Sequence, residues 1–242
     1  NDLVILESTS PVGTTEKIHV ILKESGVRVD RIHIAYCPER VLPGKIMKEL
    51  LENDRIVGGL TPESSKAVAD FYRTFVDGEV FETDAKTAEM CKLTENSFRD
   101  VNIAFANELS LICEKEGINV WELISLANRH PRVNILKPGV GVGGHCIAVD
   151  PWFIVARDPD NSRIIRMARN VNNYKTDWVI EKIKIAADSM SKPKESPIIA
   201  CLGLAFKPDV DDLRTSPALN IALELKSAGY EVIAVEPNIE SH

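Results

Sequence analysis

Leu3-Val4-Ile5-Leu6-Glu7-Ser8, then Ser10-Pro11-Val12-Gly13, then the run from Thr14 to Ser25 decide the fold class. The first segment is a short apolar run suited to a buried strand. Proline and glycine make the turn, and the third segment has helical composition with Gly26 to stop it. Ile32 to Cys37 and Arg55 to Gly58 are the next strand candidates. Thr61-Pro62 has the N-cap then N1-proline order that opens a helix, here towards Thr74. Strand and helix alternate, which predicts a parallel α/β sheet.

After Asp84 the periodicity changes. Leu93, Val101, Ala104, Leu109 and Ile112 fall at helical spacing in one long stretch from about Thr87 to Glu116, closed by Gly117. Asn119 and Glu122 resemble a capping box for a short helix through Trp121 to Ala127. A loop dense in Pro and Gly follows from Pro131 to Pro151, and a second long helix runs from about Arg163 to Ser191. Lys192-Pro193-Lys194-Glu195-Ser196 has linker composition. Beyond it, Pro197 to Leu202 (strand), Gly203 to Ser216 (loop), Pro217 to Ala228 (helix) and Glu231 to Val235 (strand) make one βαβ unit. The expected divisions are 1–84, 85–195 and 196–242.

The chain has 242 residues, 44% of them hydrophobic and 27% charged, with a net charge of -7. No basic block could neutralise a phosphate backbone, so nucleic acid is not an expected partner. No apolar run approaches the roughly 20 residues that cross a bilayer, and a cytoplasmic, membrane-free protein is expected. Cys37, Cys91, Cys113, Cys146 and Cys201 form no CxxC pair, which fits reduced thiols better than a disulfide framework or zinc site. The histidines His19, His33 and His242 have no metal-ligand spacing, and no metal is expected.

Gly139-Val140-Gly141-Val142-Gly143-Gly144 satisfies the dinucleotide fingerprint GxGxxG. That motif works where it joins a strand to a helix whose N-terminus faces the pyrophosphate. Here Pro138 precedes it, and Pro151 follows His145-Cys146-Ile147-Ala148-Val149-Asp150, where a proline is expected to break any helix. The better reading is a backbone that approaches a ligand closely and presents Cys146, with Asp150 four residues on. A thiolate adds to an aldehyde, the adduct loses hydride, and the resulting thioester is hydrolysed to an acid. A packing cysteine beneath a glycine-rich loop is the alternative.

Lys92 and Asn96 are spaced i, i+4, with Arg99 at i+7, so one helix face carries a cation and an amide. A lysine there can stabilise an oxyanion or exchange a proton, and an amide can orient the reacting group; a solvated face is the plainer reading. Glu39 follows a strand end and could activate water. Lys207, Asp211, Asp212 and Arg214 lie in the loop after the Pro197 strand, where charge and bidentate bonding could clamp phosphates. A surface loop is the ordinary alternative for both.

Taken together and in order, five segments resemble the UDP-glucose/GDP-mannose dehydrogenase family: Glu7-Ser8-Thr9-Ser10-Pro11-Val12-Gly13-Thr14-Thr15; Pro38-Glu39-Arg40; Lys92-Leu93-Thr94-Glu95-Asn96; the Cys146 loop; and Gly203-Leu204-Ala205-Phe206-Lys207-Pro208 with Arg214. The resemblance runs along essentially the whole chain. It implies a remnant of an N-terminal Rossmann-like NAD-binding domain (1–84), a central long-helix dimerisation domain with the cysteine loop (85–195), and the start of a C-terminal Rossmann-like UDP-binding domain (196–242). It also implies NAD-dependent, four-electron oxidation of a nucleotide sugar's primary alcohol. Cys146 would be the nucleophile, Lys92 the oxyanion or proton-handling lysine, Asn96 and Asp150 its helpers, and Glu39 the thioester-hydrolysis residue. Thr9 would lie near the nicotinamide and Arg214 would reach NAD. Arg40, Val41, Arg99, Gly143, Phe206 and Lys207 would line the UDP-sugar site, with His130 and Arg132 contributed across a homodimer formed by the long helices.

Arg132-Val133-Asn134-Ile135 and Gly144-His145-Cys146 with Asp150-Pro151-Trp152-Phe153 look most like the N-acetylhexosamine branch, with UDP-glucose or UDP-N-acetylglucosamine oxidation as the alternative. Hydroxyacid and 6-phosphogluconate dehydrogenases also pair a helix lysine with an asparagine, without a thiol, and a helical dimerising fragment is the non-enzymatic alternative. Compared with the family, the sequence is expected to start after the Gly-rich turn and to stop one βαβ unit into the last domain. It would then be a truncated portion of an active parent, with its own activity left open by the missing ends.

Overall fold

The computed structural model describes residues 2–41, 45–190 and 197–239. The linker segment at 192–196 and His242 lie outside the described residues, as does Leu42. By packing, the residues up to Glu95, with Ala156–Asp158, form one compact unit; Asn96–Val155 and the residues from Pro159 on form the other.

The first unit holds a four-stranded sheet in the order β1 (Asp2–Leu6), β2 (Ile32–Tyr36), β3 (Arg55–Gly59), β4 (Val80–Asp84). Helix α1 is Thr14–Glu24, α2 is Ile46–Glu52 and α3 is Pro62–Tyr72. Thr61 caps α3 as its sequence requires, its hydroxyl accepting from the Ser64 amide at 3.2 Å with Pro62 in the first turn. Ala35, Cys37, Val57, Val68, Ala69, Tyr72 and Val76 form the core between α3 and the sheet.

The expected parallel sheet is a mixed one. β1 pairs with β2 and β3 with β4 in parallel, but β2 and β3 run antiparallel through Ala35↔Gly59 and Tyr36↔Gly58. A parallel neighbour needs a crossover back to the strand's starting edge. The 37–54 connection, carrying α2, makes none, so β3 runs back towards β2 from beyond its carboxyl end. Neither α2 nor β4 was expected from the sequence pattern.

Helix α4 (Ala85–Glu116) contributes to both units. In the first, its buried Glu89 carboxylate accepts from the Gly13 amide at 2.6 Å, the Thr15 amide at 2.8 Å and the Thr15 hydroxyl at 2.7 Å. These are the orphan donors of α1's first turn, where a carboxylate also complements the helix dipole.

The second unit holds the remainder of α4 with α5 (Val120–Ala127), α6 (Asp150–Arg157, mostly in this unit), α7 (Arg163–Met190) and α8 (Pro217–Ser227). Its parallel strands β5 (Ile198–Leu202) and β6 (Glu231–Val235) form the expected βαβ unit. Ile180, Ile221 and Leu225 pack α7 against α8, with Ile199 and Val232 from the strands. Asn119 caps α5 through the Trp121 and Glu122 amides. The Pro/Gly-rich loop ends two residues sooner than expected, because Asp150-Pro151 begins α6. Pro151 sits in the first turn, where its missing N–H has no partner to lose, so it starts a helix instead of breaking one. Among the described residues, no helix is long and apolar enough to cross a membrane.

Glu89→Ala would leave two α1 amides and a hydroxyl without their buried acceptor, an expected loss of about 3 kcal/mol from the first unit. Faster hydrogen exchange at the Gly13 and Thr15 amides, with exchange in α8 unchanged, is the measurement that checks it.

Candidate active site

Cys146 lies in the turn that leads into α6. Its carbonyl accepts from the Val149 amide at 3.0 Å and the Asp150 amide at 2.8 Å, so helix formation at Asp150 fixes the cysteine's backbone. The thiol is half-buried. Asp150, only 3% exposed, accepts from the Asn96 side-chain amide at 2.5 Å, which ties α6 to α4. Cys146, Asp150 and Asn96, the last of them 54 residues before Asp150, are therefore joined by one chain of hydrogen bonds. Cys37 offers a contrast: burial at the end of β2 pushes its thiol up to about 11, which suits packing and not nucleophilic attack.

The glycine-rich segment before Cys146 has no strand ahead of it, as the non-Rossmann reading requires. Side chains hold its backbone in place of a sheet. The Asn128 amide reads Ile135 with both atoms, accepting from its N–H at 2.7 Å and donating to its carbonyl at 3.0 Å. Asn107 accepts from the Gly139 amide at 2.8 Å, and the Thr176 hydroxyl donates to the Val140 carbonyl at 2.8 Å. Asn107 in turn donates to Asn172, Asn172 to Asp100 at 2.7 Å, and Arg169 to the same Asp100 oxygen at 2.7 Å. Burial raises the Asp100 carboxyl, and the Arg169 charge opposes that.

This network was missed in the sequence. The available signal is polar residues at helical spacing: Asp100 and Asn107 at i, i+7 on α4, and Arg169, Asn172 and Thr176 at i, i+3, i+7 on α7. A cleft of about 490 Å³ beside it is lined by residues including Val142, Trp152, Asn173, Thr176 and Thr215.

The loop between β5 and α8 meets the cysteine loop directly. The Gly144 amide donates to the Arg214 carbonyl at 3.2 Å, and the Thr215 hydroxyl donates to the Gly144 carbonyl at 2.9 Å. A Cβ on Gly143 would fall 2.5 Å from the Thr215 carbonyl, and one on Gly144, at φ +85°, would fall 2.9 Å from the Phe206 ring. Only glycine permits this approach. The Lys207 ammonium is 5.6 Å from the Phe206 ring centroid. Arg214 forks onto Asp212 at 2.7–3.1 Å, and His145 Nδ1 is 3.9 Å from that carboxylate. The structure thus brings Gly143, Cys146, Phe206, Lys207 and Arg214 into one neighbourhood; Asp211 is exposed. The guanidinium that was expected to clamp a phosphate or reach NAD is already paired within its own loop.

Thr9 is half-buried just beyond β1. The Glu39 amide donates to the Glu7 carbonyl at 3.0 Å, and its exposed carboxylate accepts from the amide of half-buried Val41. Arg40 is paired with Glu95 of α4 at 2.8 Å. These residues, with half-buried Lys92, belong to the first unit. Arg99 is exposed on α4. His130 and Arg132 are exposed after α5, with the Arg132 amide donating to His130 Nδ1 at 3.3 Å.

Two α/β units, with long helices and a glycine-cradled thiol, define the class of the chain as an α/β protein. It belongs to the UDP-glucose/GDP-mannose dehydrogenase family. The family's NAD binding domain matches residues 1–76, its central domain residues 86–174 and its UDP binding domain residues 200–242. The chain is 60% identical over 253 aligned residues to UDP-N-acetyl-D-mannosamine dehydrogenase of Escherichia coli (strain K12), covering 98% of this chain and 60% of that protein. It is 56% identical to NDP-N-acetyl-D-galactosaminuronic acid dehydrogenase of Ralstonia solanacearum, covering 99% of this chain and 58% of that protein. The solved UDP-D-ManNAc dehydrogenase of Pyrococcus horikoshii superposes with a TM-score of 0.90 at 44% identity, covering 98% of this chain and 57% of that one. The chain spans about 60% of the length of the curated relatives it matches.

Arg214 holds the Asp212 carboxyl down at about 2, below its usual 3.8. The fork therefore contributes fully above pH 3.8 and is lost as pH falls through about 2. Titration of the Asp212 carboxyl carbon by NMR should show that depressed midpoint, returning towards 3.8 in Arg214→Ala.

Proposed function

We propose that the protein is an NAD-dependent UDP-sugar 6-dehydrogenase that oxidises the C6 alcohol of UDP-N-acetyl-D-mannosamine to the uronate through a covalent intermediate on Cys146. The observation that carries this reading is the linkage of Cys146, Asp150 and Asn96 beside the Phe206–Arg214 loop. The similarity to proteins named UDP-N-acetyl-D-mannosamine dehydrogenase supports the substrate. The boundaries 1–84, 85–195 and 196–242 are proposed for its NAD-binding, helical and UDP-binding parts.

The start of α1 is closed to a pyrophosphate, because Glu89 already fills it. What the described residues offer a dinucleotide is the Thr9 hydroxyl at the carboxyl end of β1, suited to a carboxamide, and the Arg214 guanidinium, suited to a phosphate. Bound NAD supplies the hydride acceptor. Lys92 takes the alcohol proton as the C6 carbon gives up a hydride to form the aldehyde, and then steadies the oxyanion of the later adduct, while Asn96 and Asp150 orient it. The Cys146 sulfur adds to the aldehyde carbon, and the adduct gives up a hydride and a proton to become a thioester. Water, activated by Glu39, cleaves the carbon–sulfur bond, releasing the carboxylate and restoring the thiol. Arg40, Val41, Arg99, Gly143, Phe206 and Lys207 hold the nucleotide sugar. A cytoplasmic location, where thiols stay reduced, suits this chemistry.

The partner is a second copy. Phe98, Phe105 and Ile112 lie at successive heptad positions of α4, each more than half exposed. Such a stripe is a helix-pairing face. Across that dimer His130 and Arg132 reach the partner's substrate.

With UDP-N-acetyl-D-mannosamine the full-length parent protein should yield two NADH per sugar, and Cys146→Ser in it should stop acid formation. Turnover of UDP-glucose alone would overturn the substrate, acid formation by Cys146→Ser would overturn the covalent step, and no NADH from either sugar would overturn the activity. Phe105→Glu should convert a dimer to a monomer at micromolar concentration in analytical ultracentrifugation.

A further inference from the structure

The loop between β5 and α8 contains Thr215, a β-branched residue at φ +48°. A β-branched side chain in the left-handed region is a genuine outlier, and such strain persists only where the surroundings hold it. Three contacts hold it here. The Thr215 hydroxyl donates to the Gly144 carbonyl, the Gly144 amide donates to the carbonyl of neighbouring Arg214, and the Thr215 carbonyl occupies the space a Gly143 side chain would need. On its other side, Ser216 donates to the Leu204 carbonyl at 2.6 Å while its hydroxyl accepts from Leu219 to cap α8. The strained residue is therefore clamped between the start of α8 and the peptide two residues before Cys146.

We infer that Thr215 is a positioning residue: its hydroxyl latches the loop bearing Phe206, Lys207 and Arg214 to the Gly143-Gly144 backbone and so fixes where Cys146 is presented. The inference rests on the reading of Cys146 as the nucleophile only for its catalytic consequence; the latch itself concerns the thiol's position. Breaking the Thr215–Gly144 bond removes one of two hydrogen bonds at that crossing and releases the strain that opposes it. The cysteine loop then gains freedom on the side facing the β5–α8 loop, while the Asp150 amide still holds the Cys146 carbonyl from the other.

The test compares Thr215→Ala with Thr215→Ser, which differ by one hydroxyl. Each is alkylated with iodoacetamide, and the rates at Cys146 and at half-buried Cys201 are read by peptide mass spectrometry. The expected result is about fivefold faster alkylation of Cys146 in Thr215→Ala, a rate within twofold of the unsubstituted protein in Thr215→Ser, and no change at Cys201. Equal Cys146 rates in the two variants would overturn the latch. So would a rise at Cys201 in step with Cys146, which marks general loosening of the unit. Acid formation by Cys146→Ser, by contrast, would overturn the nucleophile reading and leave the alkylation result standing.

Discussion

The buried pair of Asp100 and Arg169 is the constraint on which the second unit is built. Their side chains are 1% and 3% exposed, and they meet at 2.7 Å. A buried ion pair gains little over well-packed apolar groups, yet removing one partner costs about 3–5 kcal/mol because the other is stranded. Once Asp100 is in place, α4 and α7 have one register in which Arg169 and Asn172 both reach it. That register carries Asn172 to Asn107 and Asn107 to the Gly139 amide. The charge pair thus contributes placement more than stability, and what it places is the start of the cysteine loop.

Helix α4 is bound separately within each unit. Its early turns are bound within the first unit by Glu89 at the α1 start and by Glu95 at Arg40. Its later turns are bound within the second by Asp100 and Asn107, and by Ser110, which accepts from buried Lys175 at 2.7 Å. Within the second unit, Asn96 is fixed by its bond to buried Asp150.

Much of this was legible in the sequence, for definite reasons. Leu3 to Ser8, Thr61-Pro62 and the Pro197–Val235 segment were readable because period, caps and turn residues agree locally. The Gly139–Gly144 decoy was readable because a fingerprint without its strand has no helix dipole to offer. Asp150-Pro151 was misread because proline has opposite meanings at the first turn and in the interior of a helix, and only the boundary tells which applies. The β2–β3 direction was hidden because it depends on how the 37–54 connection travels, which no short-range pattern encodes. The Asp100–Arg169–Asn172–Asn107 network was hidden because a polar residue at helical spacing looks the same on a wet face as on a buried one. Only the partner helix distinguishes them.

A loop rich in glycine poses a problem that the fold has to solve. Glycine gives the backbone the close approach that Gly143 and Gly144 need, but each one widens the unfolded ensemble and lacks a side chain to anchor it. The 131–149 segment has no sheet or helix to satisfy its N–H and C=O groups. Four side chains from elsewhere substitute for that missing ladder: Asn128 at Ile135, Asn107 at Gly139, Thr176 at Val140 and Thr215 at Gly144. At about 0.5–1.5 kcal/mol each, such bonds together offset the ordering cost of only a few residues, so each must come from an already rigid support. Three of the four donors and acceptors stand on or beside helices α4, α5 and α7, and the fourth is held by the cap of α8. The rigidity of the cysteine loop is borrowed from helices, which is why its own sequence can be given over to glycine and to the thiol.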